Sequence, residues 1–94
     1  MPKEDNIDWD EQKAASNERM HGITFEEAQW VFDDRRSITK YDEKHSTKED
    51  RWNTIGFSKQ GNLLVVVHTD EPDLIRIISA RKATTHEARE YTQQ

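Results

Sequence analysis

Arginines in the second half of this 94-residue sequence occupy positions from which they could act on a phosphate. Arg76 interrupts the apolar residues 74–78, in a segment whose composition is typical of a central β-strand. Because an unpaired guanidinium is costly to bury, Arg76 must face solvent or pair with a carboxylate or a phosphate. A salt bridge to Glu49, or to an acid of the N-terminal half, is the structural alternative to a functional role, and the sequence leaves both open.

Two further arginines flank predicted strands. Arg51 begins a strand two residues after Glu49, and Arg81 ends another. Planar, always-charged guanidiniums stabilise the negative charge that develops on a phosphate in a transition state. Convergence of the three arginines on one sheet face would therefore suit phosphodiester chemistry. The sequence does not fix the strand register, and a slip of one residue would move Arg51 to the opposite face.

The four histidines have no metal-ligand spacing. His21, His45, His68 and His86 form neither an H-x-H nor an H-E-x-x-H pair, which speaks against a zinc site. His68 lies in a predicted strand and could be a general acid or base, with a half-buried structural histidine as an equal alternative. His21, beside Gly22, is interpreted as a helix C-terminal residue that interacts with the helix dipole. No nucleophile elbow or glycine-rich phosphate loop is present, which argues against hydrolase triads and NTPases.

The elements that must position these residues change from a helical to a strand pattern after residue 34. A short extended segment comes first, and capping residues and a C-terminal glycine then predict two short helices that form a helical hairpin. Alternating β-forming residues separated by turn residues predict the strands, and a second capping-box pattern opens a last helix. The predicted ranges are 7–9, 10–21, 24–32, 37–41, 51–57, 63–68, 74–80 and 84–91.

Short connections between sequential strands favour an antiparallel sheet with helices on one face. We therefore predict one α+β domain over residues 1–94, with a sheet of about four strands, an N-terminal helical hairpin and a C-terminal helix. Leu, Ile, Val and Phe make up only 18% of the residues, so the core is expected to be thin and the second sheet face open. With a tight turn at residues 70–73, Val67 would pair with Arg76.

Composition and charge narrow the class of protein. No cysteine is present, which excludes disulfides, thiol catalysis and thiolate metal sites. The longest apolar run, residues 63–67, is far too short to span a membrane, and the acidic N-terminus is unlike a secretory signal, so a cytoplasmic protein is expected. The net charge of −5 is uneven: residues 1–34 carry −7 and residues 35–94 carry +2. The second part of the chain could therefore engage phosphates, although a solvated acidic helical face is the simpler explanation of the first.

Several motifs together resemble one protein family. They include Trp9-Asp10-Glu11, His21-Gly22-Ile23, Phe25-Glu26-Glu27-Ala28, His45-Ser46, Glu49-Asp50-Arg51, Ile55-Gly56, and residues 64–69 and 76–84. Taken in order over residues 7–91, the sequence resembles the BrnT family of bacterial toxins, which are ribonucleases of type II toxin–antitoxin modules with a RelE-like fold. Met20 departs from the family pattern, because a lysine commonly precedes the His-Gly pair.

The resemblance implies metal-independent RNA cleavage without a cofactor, and hence inhibition of translation. In such chemistry the ribose 2′-OH attacks the adjacent phosphate while a base and an acid move the protons. Arg51, Arg76 and Arg81 would stabilise the phosphorane, and Glu49 or His68 would be the base. The residues expected to contact substrate or to contribute less directly are Lys13, His21, Lys82 and Tyr91.

The resemblance also implies a partner. A BrnA-like antitoxin would neutralise the toxin, and it would carry the DNA-binding part, so that this chain meets DNA only through it. Two toxins and two antitoxins in a heterotetramer are compatible with such a module. A catalytically weak, toxin-like binding module that acts in transcriptional autoregulation is the alternative, which Met20 keeps open. A metal-dependent nuclease is the third class, and it would need acids or histidines clustered in space.

Overall fold

The structure, a computed structural model, describes residues 6–94 and forms a five-stranded sheet with helices on both faces. Among these residues no helix is long and apolar enough to cross a membrane. The chain order is β1 Ile7–Trp9, α1 Glu11–His21, α2 Phe25–Ala28, a 3₁₀ helix Gln29–Asp33, β2 Ile38–Tyr41, β3 Trp52–Phe57, β4 Leu63–His68, β5 Ile75–Lys82 and α3 Thr85–Thr92.

The helix boundaries follow the capping residues in the sequence. The Asp10 side chain accepts a hydrogen bond from Gln12 N at 2.7 Å and begins α1, and Gly22, at φ 71°, ends it in the left-handed conformation that favours glycine. Thr24 Oγ1 caps α2 by accepting from Glu27 N at 3.0 Å. The predicted positions of these helix ends are confirmed, although the second helix tightens into the 3₁₀ helix after one turn.

The strand order is β1-β5-β4-β3-β2, and the sheet is mixed. Strands β2 to β5 pair antiparallel, as expected, but β1 runs parallel to β5 with Ile7 opposite Ile75. The predicted all-antiparallel sheet of about four strands was therefore wrong. That prediction rested on short connections between sequential strands, which carry no information about pairing between the first strand and the last.

The turn and the register of the β4–β5 hairpin also differ from the prediction. A bridge joins Glu71 and Leu74, so the turn contains only the two residues between them, and Asp73 takes a positive φ of 63°. Thr69 N donates to Arg76 O at 3.0 Å, so Arg76 lies opposite Thr69. The predicted pairing of Val67 with Arg76 was wrong because the predicted turn was two residues too long.

Apolar side chains pack on both faces of the sheet. On one face, which we call the α1 face, α1 and α2 cover a cluster that includes Phe25, Val66 and Ile77. On the other, the α3 face, Tyr91 of α3 packs against Ile55 and Val65. The prediction that all helices lie on one face was therefore wrong, because the capping box that opens α3 does not reveal which face its apolar side covers. Since α3 is short, it leaves part of its face uncovered.

Candidate active site

The uncovered part of the α3 face is lined by β3, β4 and β5. Side chains alternate between faces along a strand, so Arg51 and Asn53 share the face of the buried Ile55, and Val67 shares that of Val65. Ser79 lies opposite Val67 and completes the floor. We call the surface formed by Arg51, Asn53, Val67, Arg76 and Ser79 the open half-face.

A β-bulge decides which β5 residues reach this surface. Val67 pairs with Ser79 and His68 with Ile77, so Ile78 is an extra residue on β5. Ile77 and Ala80 consequently both point into the core on the α1 face, although they are three residues apart. Arg76 and Arg81 are five residues apart and would lie on opposite faces of a regular strand. The bulge places both of them on the α3 face.

Arg51 and Arg76 lie in one row across the sheet. Continuing the β3–β4 register by one residue from the pair of Trp52 and His68 places Arg51 opposite Thr69, which in turn lies opposite Arg76. Two strand spacings separate their backbones by roughly 10 Å. This gap is short enough for two arginine side chains to contact one phosphate between them. Arg76 is exposed, and its guanidinium has no hydrogen bond or ion pair within residues 6–94.

Two unsatisfied polar atoms lie on the β3 side of the open half-face. The side chain of Arg51 is half-buried, and its Nη2 lies 3.8 Å from Glu49 Oε2, while its Nε is buried without a hydrogen-bond partner. Asn53 Oδ1, two residues along the same face, is also buried and unpaired. Buried polar atoms are nearly always hydrogen-bonded in folded proteins, so these two orphaned atoms on one face of β3 mark a place where a polar ligand would be stabilised.

A cleft of about 210 Å³ adjoins the open half-face at Arg51, and it lies in the loop between β2 and β3. The loop is held to β3 by Ser46, whose Oγ donates to Asp42 O at 2.6 Å and accepts from Arg51 N at 2.9 Å. Cationic side chains outnumber acidic ones in the cleft, which favours an anion. The lining residues are Lys44, His45, Thr47, Lys48, Glu49 and Arg51.

Arg81 is held in an ion pair. Its Nη1 and Nη2 donate to Glu87 Oε1 and Oε2 at 2.8 and 2.9 Å. Glu87 also accepts from Thr84 N in the capping box that opens α3. The hydrogen bonds from Arg81 lower the pKa of Glu87 to about 2, and those bonds raise the pKa of Arg81. Arg81 therefore fixes α3 against the sheet at the edge of the open half-face.

His68 lies in the core and not in the open half-face. It is only 2% exposed, and its ring packs edge-on against Phe32 at 4.9 Å on the α1 face. Nε2 is 2.7 Å from Thr54 Oγ1 and Nδ1 is 3.0 Å from Thr69 O. Burial lowers the pKa of His68 and so favours the neutral ring. This geometry supports the structural alternative for His68.

Tyr91 is likewise occupied within the protein. Its hydroxyl donates to Asp34 Oδ2 at 2.6 Å, and burial, aided by this bond, raises the pKa of Tyr91 to about 12. Burial alone would raise the pKa of Asp34, but hydrogen bonds from Phe57 N, Tyr91 and Arg36 N outweigh it and lower that pKa. Tyr91 therefore anchors α3 to the rest of the chain and lies apart from the open half-face.

The remaining predicted contact residues fall in two places. Lys13 and His21 line one surface cleft of about 180 Å³ at the edge of β5, beside Ser79, and the exposed Met20 lines it with them. Their helix is tied to this edge by Asn17, whose side chain bonds the backbone of Ala80 and of Ile23. Lys82 lies opposite Leu64, on the other face of the sheet, and is not part of the open half-face.

Sequence reasoning did not select Asn53 or the lysines of the loop cleft. Asn53 follows Arg51 by two residues, so alternation along β3 would have identified it once the face of Arg51 was known. Lys44 and Lys48 lie in a polar loop, and no periodic pattern indicates where such a loop folds. Within the described part of the chain, no three histidine or acidic side chains come together as metal ligands.

Comparison with known proteins identifies the class of protein. A family profile described as "Ribonuclease toxin, BrnT, of type II toxin-antitoxin system" matches residues 9–87. The fold and the match define a ribonuclease toxin of a type II toxin–antitoxin system, as the sequence indicated. Within that class, the chain belongs to the BrnT family, which confirms the resemblance.

A solved structure supports the assignment. The chain is similar to the Brucella abortus ribonuclease toxin BrnT, whose crystal structure was determined at 1.1 Å resolution, with a TM-score of 0.60 and 26% sequence identity. The match covers 84% of this chain and 96% of the Brucella protein. No curated protein matches the sequence.

Proposed function

We propose that this BrnT-family toxin is a metal-independent endoribonuclease whose active site is the open half-face around Arg51. The observation that carries the proposal is the row formed by Arg51 and Arg76, with the Glu49 carboxylate 3.8 Å from the Arg51 guanidinium. Two guanidiniums and one carboxylate supply the cationic stabilisation and the base that cleavage by a ribose 2′-OH requires. The orphaned Arg51 Nε and Asn53 Oδ1 would gain partners from bound RNA.

The proposed reaction begins with the phosphate between Arg51 and Arg76. Glu49 takes the proton of the 2′-OH as its oxygen bonds to phosphorus, and the two guanidiniums stabilise the negative charge of the phosphorane. The bond from phosphorus to the 5′-oxygen then breaks and the 5′-oxygen is protonated. The products are a 2′,3′-cyclic phosphate and a 5′-hydroxyl end.

Other residues would position the substrate and the site. Arg81 acts through its ion pair with Glu87, which holds α3 at the edge of the open half-face. Lys13 and His21 would contact the RNA strand where it passes the edge of β5, beside Ser79. The contacts of Lys13 and His21 with RNA would add binding energy outside the reacting phosphate, so the loss of either should mainly raise KM.

A BrnA-type antitoxin is the proposed partner. Its acidic side chains would cover the open half-face and pair with Arg51 and Arg76 in place of RNA phosphates. Cleavage of RNA in the cytoplasm by the free toxin would inhibit translation. Competition between an RNA oligonucleotide and the purified antitoxin for the toxin would test this arrangement, and simultaneous binding of both would contradict it.

The test of catalysis uses purified protein, RNA and excess chelator. Arg51→Ala and Arg76→Ala should each lower the cleavage rate about 10²–10³-fold, the loss typical of removing one electrostatic stabiliser. Arg35→Ala is the matched control because Arg35 is exposed and lies outside the open half-face. Circular dichroism verifies that each variant is folded. Cleavage that needs an added metal, or that survives in Arg51→Ala, would contradict the proposal.

The exposed side chain of Met20 supports a second candidate function, that of a catalytically weak toxin that acts through its antitoxin complex. Met20 is 75% exposed and lines the cleft of Lys13 and His21, at the position where the family commonly has lysine. Wild-type protein that binds antitoxin but leaves RNA intact would favour this candidate. Met20→Lys should then restore measurable cleavage.

A further inference from the structure

We propose that His45, oriented by Asp42, is the general acid that protonates the leaving 5′-oxygen. The inference rests on the proposed ribonuclease function and adds the proton donor that it lacks. Imidazole is the side chain that most readily exchanges protons near neutral pH. Among the residues that line the cleft beside Arg51, His45 is the histidine.

The geometry of the pair is that of an oriented catalytic histidine. Asp42 is nearly buried, with its side chain 10% exposed, and its Oδ2 lies 2.9 Å from His45 Nδ1. The His45 side chain is 61% exposed, and its Nε2 has no partner within residues 6–94. A carboxylate on one ring nitrogen fixes the orientation of the ring, while the other nitrogen stays available to a substrate.

Backbone hydrogen bonds hold this pair close to Arg51. Asp42 N donates to Arg51 O at 2.8 Å, so Asp42 extends the β2–β3 pairing by one residue. Asp42 Oδ1 also accepts from His45 N at 3.3 Å, which closes the turn that carries the ring. His45 is therefore positioned from the same strand pair that presents Arg51, and both residues line one cleft with Glu49.

The charged groups around His45 allow one residue to act as the acid and another as the base. The titratable and charged groups that face it are Asp42 on the β2 side, Lys44, Lys48 and Glu49 in the loop, and Arg51 on the β3 side. Glu49 is the acidic residue that lines the cleft, and it already has the role of the base that takes the 2′-OH proton. Arg51 has neither of these roles, because it is assigned to bind the phosphate.

The proton transfers balance across the reaction. Glu49 receives the 2′-OH proton as the new bond from oxygen to phosphorus forms. His45 gives its Nε2 proton to the 5′-oxygen as the bond from phosphorus to that oxygen breaks. The site then holds a protonated Glu49 and a neutral His45, and proton exchange with water restores both before the next turnover.

The test compares two RNA oligonucleotides that differ in one atom. In the second, sulfur replaces the bridging 5′-oxygen at the bond that the wild-type toxin cleaves, and a thiolate leaves without needing a proton. His45→Ala should cleave ordinary RNA about 10²–10⁴-fold more slowly than wild type, which is the usual contribution of a general acid. It should cleave the sulfur-containing RNA within about tenfold of the wild-type rate, because that step needs no acid.

Three further variants serve as references. Glu49→Gln should be slow on both substrates, since removal of the 2′-OH proton is needed in each. His86→Ala, an exposed histidine on α3, is the matched control and should cleave both RNAs at the wild-type rate. Asp42→Asn keeps His45 but loses the carboxylate, and it should show a smaller loss that is again relieved by the sulfur-containing RNA. Equal thermal melting of all variants verifies folding.

The outcomes separate the two proposals. Wild-type activity together with a His45→Ala variant that cleaves ordinary RNA normally, or that is impaired equally on both substrates, overturns the role of His45 and leaves the ribonuclease function intact. A wild-type protein that cleaves neither substrate overturns the proposed function, and the role of His45 falls with it.

Discussion

The ion pair between Arg81 and Glu87 makes a quantitative prediction about stability. Glu87→Gln removes the charge but keeps a side chain that a capping box accepts, so the substitution isolates the ion pair from the cap. The pKa of Glu87 falls from 4.5 to about 2, and about 1.4 kcal/mol corresponds to each pKa unit. The full shift would be worth about 3 kcal/mol. Because the Arg81 side chain is 40% exposed, water screens the pair, and about 1–2 kcal/mol is expected.

The pH dependence of this difference has a definite sign. A carboxylate whose pKa is lowered on folding stabilises the protein above its unfolded pKa, and that stabilisation is lost as the pH falls through the folded value. The free energies of unfolding of wild type and Glu87→Gln should therefore differ by about 1–2 kcal/mol at pH 7 and converge between about pH 4.5 and 2. Near pH 7, the melting temperature should fall by roughly 4–8 °C per kcal/mol in a domain of this size.

Urea unfolding at pH 7, 5 and 3 measures the difference. Glu90→Gln is the matched control, because Glu90 also lies on α3 and its ion pair with Lys40 is more exposed. Its loss should cost less than about 1 kcal/mol. A Glu87→Gln difference that is the same at pH 3 as at pH 7 would refute the reasoning, since the cost would then come from packing and not from charge.

Other substitutions test the elements around the site. Gly56→Ala should lower stability by about 1–3 kcal/mol in thermal melting, because the added Cβ would lie 3.0 Å from Val31 Cγ1; unchanged melting would contradict the tight packing. Tyr91→Phe should cost about 1–3 kcal/mol in urea unfolding, because Asp34 loses a hydrogen-bond donor, and a neutral effect would show that the bond contributes nothing. Lys13→Ala should raise KM for RNA cleavage with little change in kcat, and a fall in kcat alone would place Lys13 at the reacting phosphate.

Local signals predicted most of the helices and strands. Asp10, Gly22 and Thr84 mark helix boundaries in the sequence, and the structure places boundaries there. Such signals depend on a few neighbouring residues, so one sequence suffices to read them. The extended segment 7–9 was also predicted, but its parallel pairing with β5 was not, because that pairing is fixed by long-range packing of Ile7 and Trp9 in the core.

The arrangement of the candidate site depended on a feature that no residue pattern signals. Arg76 and Arg81 are an odd number of residues apart, so regular alternation would separate them, and only the bulge at Ile78 places them on one face. The sequence identified the arginines by their chemistry but could not place them relative to each other. The pairing of His45 with Asp42 was hidden for a similar reason, because it depends on the fold of a polar loop.

A double-mutant cycle on Arg51 and Arg76 tests most directly whether the open half-face is one catalytic site. The rate constants for RNA cleavage, expressed as kcat/KM, are compared for wild type, Arg51→Ala, Arg76→Ala and the double variant. If both guanidiniums stabilise the same phosphate, the double variant loses much less than the product of the two single losses. Losses that multiply would show two independent contacts, and would contradict a shared phosphate between the two arginines.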